Sequence, residues 1–209
     1  MKKIILLVSI WILPTYLFAI NYHIGNGQTY LTIASVPWNS LLPGDIVYIH
    51  ANPLPYKEKI VLSQSGTSLN PIKIIGIPDQ YGNKPIIDGD NATSQSSNYL
   101  GAGQSYSLNT RGLITIAPRP GYTWGYKPSY ISIEGLEIKN ANPTKAFYED
   151  GISMNYIEFC AGIYADRCEN IKIKNCTIHD CALGIFINSK GDEATQSRHI
   201  IIEGNHIYH

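Results

Sequence analysis

Three short segments of this chain repeat one pattern of isoleucines, and that repetition constrains the fold more than any other feature. They are Tyr130-Ile-Ser-Ile-Glu-Gly-Leu-Glu-Ile-Lys-Asn, Asn170-Ile-Lys-Ile-Lys-Asn-Cys-Thr-Ile-His-Asp and His199-Ile-Ile-Ile-Glu-Gly-Asn-His-Ile-Tyr-His. Aligned, Ile131, Ile171 and Ile200 coincide, as do Ile133, Ile173 and Ile202, then Ile138, Ile178 and Ile207. Gly135, Asn175 and Gly204 share one position, where residues tolerant of a left-handed backbone let the chain bend. A second unit, Gly162-Ile-Tyr-Ala and Gly184-Ile-Phe-Ile, recurs between them. In an extended chain, side chains alternate in direction at period two, so the isoleucines of each run point one way. Each run is too short to be stable alone. Recurrence at offsets of 40 and 29 residues, with a bend inside each unit, predicts short strands wound into coils and stacked. A column of Ile fills the inside, and insertions collect in the turns.

Composition agrees. The chain has 33 Ile against 15 Leu and 4 Val, which favours strand over helix, and 16 Asn, 18 Gly and 12 Pro to supply turns. Apolar residues reach 44% and charged ones only 15%, which excludes a disordered chain. Sixteen basic residues balance 16 acidic ones, so there is no polybasic footprint for nucleic acid. The competing architecture is an antiparallel sandwich, which needs tight hairpin turns. The only Asn-Gly is Asn26-Gly27.

Met1 to Ala19 reads as a secretory signal peptide: Lys2 and Lys3, then an apolar run broken by Pro14. Read as an uncleaved anchor, the apolar stretch to Ala19 is at most 16 residues, short of the ~20 a bilayer needs. The expectation is a secreted, periplasmic or cell-surface protein with no stable membrane span after cleavage, and one domain from 20 to 209.

On these segments the chain resembles the right-handed parallel β-helix superfamily, the pectate-lyase-like proteins. Pro43-Gly-Asp-Ile-Val-Tyr-Ile, Tyr56-Lys-Glu-Lys-Ile and Pro85-Ile-Ile-Asp-Gly look like the opening coils of its secreted members. The resemblance implies an all-β, single-stranded right-handed parallel β-helix with a short amino-terminal capping helix between Leu31 and Leu42, shortened or kinked by Pro37. It is specific for fold and silent on reaction. Residues 92–111, 118–128 and 142–159 read as irregular loops. The pattern stops at His209 in mid-coil, which suggests the front part of a longer protein.

The candidate functional residues follow from the second unit. Tyr164 and Phe186 match and are expected to point out from one sheet, as aromatic platforms for sugar rings. Asp166, Arg167, Asn188, Lys190, Asp192 and Arg198 flank them. Arg167 and Asn188 would bind substrate, and Lys190 or Arg198 would serve as base. Asp166 and Asp192 are the calcium candidates, if any metal binds. The column Glu134, Lys174, Glu203 reads as a surface ion-pair ladder. His179-Asp180 reads as a surface His, because neighbours in a strand face opposite ways. Cys160 and Cys181 each precede a Gly-Ile unit and form the disulfide candidate; Cys176 is expected to be a buried thiol. Two functions fit: a lyase that cleaves uronate polysaccharide by β-elimination, or a non-catalytic extracellular β-helix that binds glycan or builds structure.

Overall fold

The chain winds as the isoleucine register requires. The computed structural model describes residues 19–95, 108–118, 121–123, 125–189 and 191–209; the leader lies almost wholly outside them. Face A stacks β1 (Asn21–Ile24), β2 (Ile46–His50), β4 (Ile72–Ile77), β8 (Ser129–Glu134), β13 (Glu169–Lys174) and β16 (Arg198–Glu203). Face B stacks β5 (Ile86–Asp88), β9 (Glu137–Lys139), β14 (Thr177–His179) and β17 (His206–Tyr208). Face C stacks β3 (Ile60–Leu62), β7 (Gly112–Ile116), β12 (Ala161–Asp166) and β15 (Leu183–Asn188). Every pairing within these faces is parallel. The chain visits A, B and C in turn and returns to A one rung further on.

Inside, each face contributes a column. Val47, Ile74, Ile133, Ile173 and Ile202 are successive register partners on face A. Ile87, Ile138, Ile178 and Ile207 follow on face B, and Ile60, Ile114, Ile163 and Ile185 on face C. Most are sealed from solvent, and each buried Ile stabilises the fold by about 1.5–3 kcal/mol. Corners stack too. Gly135, Asn175 and Gly204 have φ of 71°, 52° and 64°, the left-handed turn expected of that position. A second ladder at the mouth of face A holds Tyr130, Asn170 and His199, at 54°, 54° and 52°.

The short amino-terminal cap is present as expected, broken at Pro37 into two single 3-10 turns, Ile33–Ser35 and Trp38–Ser40. Pro37 between them has no N–H to continue a helix, and the Trp38 indole donates to the Ile33 carbonyl at 2.8 Å instead. Ile33, Val36 and Leu41 still plug the bottom of the column. Next, residues 142–159 are not irregular. They hold β10 (Ala146–Glu149) and β11 (Ile152–Asn155), an antiparallel hairpin whose β10 pairs in parallel with β6 (Ala92–Ser94). Its turn is Asp150-Gly151, both at positive φ (49° and 82°), a strong hairpin dipeptide between the matched Ile segments, where no Asp-Gly was expected. Finally, the flank at 118–128 is packed down where described: Tyr122 and Tyr126 stack at 4.0 Å, and their hydroxyls donate to Gln64 and the Ser63 carbonyl. Likewise the excursion between 92 and 111 is anchored at its described ends, by β6 and by the buried Leu108 and Asn109.

Candidate functional site

The outer side of face C is closed, which overturns the expected platform. Val61, Thr115, Tyr164 and Phe186 do form one outward column in register. Leu108, Ala117 and Ala161 cover it, however, and Tyr164 has no exposed surface. Phe186 is half-buried, with its ring edge-on to Tyr164 at 5.5 Å. Leu108 lies over a surface that the pattern of alternation alone left open.

Part of the polar flank is buried as well. Asp166 and Arg167 are both fully buried and paired at 3.0 Å. Neighbouring residues can meet because Arg167 turns at φ 50°. Asn188 donates to the other Asp166 oxygen at 2.5 Å. This is a polar corner pin between two rungs, and it leaves Asp166 poorly placed to hold calcium. Asp192 caps the turn Glu193–Thr195, accepting from the Thr195 N–H at 2.9 Å and its hydroxyl at 2.6 Å. Among the described residues no group of three or more His, Cys, Asp or Glu converges as a metal site. Arg198 opens β16 and pairs with Glu193 at 3.1 Å. Lys190 lies outside the described residues.

Cys160 and Cys181 are free thiols, against the expected bridge. Each donates to a carbonyl, of Ala141 at 3.2 Å and His179 at 3.3 Å. Burial pushes them up to about 11 and about 12. Cys176 is buried and unpaired, as expected. The outward ladder also holds, since Lys174 meets Glu203 at 2.5 Å while Glu134 accepts the Ser132 hydroxyl at 2.6 Å. His179 differs from expectation. Asp180 turns at φ 53° and brings its carboxylate to 2.8 Å from Nδ1, with Glu137 3.2 Å from Nε2.

The open concavity is on face A, with a volume of about 590 Å³. Two outward columns and the corner ladder line it. Lys73, Ser132, Lys172 and Ile201 share one register column, and Glu134, Lys174 and Glu203 the next. Lys73 and Lys172 stand two rungs apart, about 10 Å at strand spacing. Tyr130 closes one side. Its left-handed φ is costly for a bulky residue, about 1–2 kcal/mol, whereas Asn170 and His199 occupy the same corner in neighbouring rungs. Strain retained beside a cleft is a pointer to function. The sequence signal was the Lys-x-Lys of Ile171-Lys-Ile-Lys, of which only Lys174 was read, as part of the ladder.

A buried cluster beneath the side sheet was also missed. The Lys59 ammonium lies 3.4 Å from the Phe147 ring centre and 4.3 Å from that of Tyr156, and donates to the Asn109 carbonyl at 2.5 Å. Desolvation drives its proton affinity well below that of ordinary lysine, against the pull of Glu149. Burial pushes Glu149 up, opposed by the amide of Asn109, which donates to it. No periodicity marks this cluster, because Lys59 meets residues from an inserted hairpin.

Comparison with known proteins fixes the hand of the coil. Residues 124–209 match the model of the right-handed β-helix region. The chain carries a right-handed parallel β-helix. Two crystal structures of a GH136 lacto-N-biosidase from Eubacterium ramulus, native and selenomethionine-substituted, superpose with a TM-score of 0.55 at 17% and 16% identity. The alignment covers 90% of this chain and 34% of theirs, so the chain spans about a third of those enzymes. At that identity the likeness is one of fold. No curated protein matches. No helix among the described residues is long and apolar enough to cross a membrane.

Proposed function

We propose that this chain is an exported β-helix that binds anionic polysaccharide along face A, and that its role is binding rather than cleavage. The observation that carries the reading is the 590 Å³ groove with Lys73 and Lys172 in one column. Lys174 is occupied by Glu203 and Glu134 stands opposite, so those two ammonium groups carry the excess positive charge. Their separation of about two rungs is close to the reach of a disaccharide, so a uronate polymer lying along the stack would meet one, then the other. Tyr130 offers a ring for a sugar face. The likeness to a glycan-cleaving β-helix supports a carbohydrate ligand, and the leader at Met1 to Ala19 supports export.

The lyase reading needs an uncharged base beside the substrate carboxylate. Lysine with markedly lowered proton affinity occurs at Lys59, but that amine is sealed under the hairpin and away from face A. The test is calorimetric titration with polygalacturonate and with a neutral glucan, alongside ultraviolet detection of unsaturated product. The expected result is binding of the acidic polymer alone, weakened at least tenfold by Lys73→Gln with Lys172→Gln, with no product. Equal binding of both polymers, or binding untouched by the double variant, overturns the groove. Product formation overturns the non-catalytic role.

A further inference from the structure

A second concavity, of about 390 Å³, lies between the turn Trp38–Ser40 and the side sheet, and its chemistry is opposite to that of face A. Trp38, Asn39, Glu58, Thr93, Gln95 and Asp150 line it. Three rungs build its wall. Glu58 bridges to Thr93 in parallel, Thr93 pairs with Tyr148, and the Asp150 N–H donates to the Ser94 carbonyl at 3.1 Å. The two carboxylate-bearing positions therefore stand two rungs apart and two residues offset along the strand, on the order of 12 Å.

The placement is held. Glu58 accepts the Ala34 N–H at 2.6 Å with one oxygen, which fixes the side chain against the cap and leaves the other oxygen for a ligand. Trp38 is half-buried and locked by its indole N–H on the Ile33 carbonyl. Asp150 is exposed at the tip of the hairpin. Lys59 also borders this space, but its amine is turned to the Asn109 carbonyl and the rings of Phe147 and Tyr156, and burial disfavours its charge. Glu58 and Asp150 are the acidic side chains among its lining residues.

We propose that this concavity binds an amino sugar in its cationic form, a short oligomer of unacetylated hexosamine. Carboxylates two rungs apart suit ammonium groups on successive or alternate sugar units. Trp38 gives the apolar sugar face a partner and attracts the cation, and the amides of Asn39 and Gln95 suit hydroxyl groups. A volume near 400 Å³ falls within the range of small-ligand sites, about 300–1,000 Å³.

Calorimetry with glucosamine trimer, its fully N-acetylated form and spermidine tests the proposal on the intact chain. The glucosamine trimer is expected to bind, and the other two at least tenfold more weakly. Glu58→Gln with Asp150→Asn should weaken the trimer at least tenfold, while Lys73→Gln with Lys172→Gln should leave it unchanged. That last control separates this site from face A. If the double carboxamide variant loses its native circular dichroism, Asp150→Asn alone, at an exposed turn, carries the test. Equal binding of the acetylated trimer overturns the charge argument. Spermidine binding as tightly as the trimer makes the concavity a general cation trap. No trimer binding, or binding indifferent to the carboxamides, overturns the site itself.

Discussion

Lys59 is a lysine held out of water. It is 7% exposed, and desolvation outweighs the attraction of Glu149. Its folded-state affinity for a proton lies below the unfolded value of about 10.4. Between those two values the unfolded chain holds the proton and the folded chain does not, so stability rises with pH there. Below the folded value the penalty is present in full. Glu149 has the opposite sign: burial raises it, so its stability cost enters as pH climbs above about 4.3. Lys59→Met should therefore remove the rise in the urea midpoint on the alkaline side, below about pH 10.4. Parallel wild-type and variant profiles would show that the amine is not desolvated. Tyr130 makes a second prediction at this scale. With φ of 54° it carries strain that Asn tolerates better. Tyr130→Asn should stabilise the fold by about 0.5–1 kcal/mol while weakening glycan binding, the two effects having opposite signs. A variant both less stable and equally competent in binding would end the idea that the ring serves the groove.

Among elements, what could be read from sequence depended on repetition. Strands β8, β13 and β16 were legible because Ile131, Ile171 and Ile200 mark the same place on successive rungs, and burial forces that register. The hairpin was not, because Phe147 and Tyr156 pack against each other at 4.9 Å in an arrangement no other rung repeats. The face C platform misled for the same reason: alternation told that Tyr164 points outward, but not that Leu108 lies over it. The Lys73 and Lys172 column was present in the repeat, yet only the three-dimensional register showed that Ser132 separates them. Gly151 tests the hairpin. Its φ is 82°, and a Cβ added there meets nothing within 4 Å, so the cost of a side chain is backbone strain alone. Gly151→Val should lower stability by about 1–2 kcal/mol, and Gly151→Asn by less. Equal values for the two variants would mean that the turn relaxes to another type.

At the scale of the whole molecule, a stack of coils has stability that is nearly a sum of rung terms and neighbour terms. Ile133 and Ile173 have partners above and below and are fully buried. Ile202 and Ile207, on β16 and β17, are 47% and 48% exposed. A rung whose core side chains reach solvent opens at lower free energy than one sealed from it. Hydrogen exchange should therefore show a gradient along the axis in this chain, slowest in β8 and β13 and fastest in β16 and β17. The thiols give an independent reading of the same gradient. Burial lifts Cys168 to about 12 and keeps Cys176 above its ordinary value, so both should resist alkylation at mildly alkaline pH until their rungs open. The Cys168 backbone N–H donates to the Ser197 hydroxyl and the Cys176 N–H to the Asn205 side-chain carbonyl, partners that flank β16. Their labelling rates should then follow the opening of β16 rather than global unfolding. Uniform amide protection from β4 to β17, with alkylation only at the global transition, would mean that the stack melts as one cooperative unit and that β16 and β17 are supported as well as the middle.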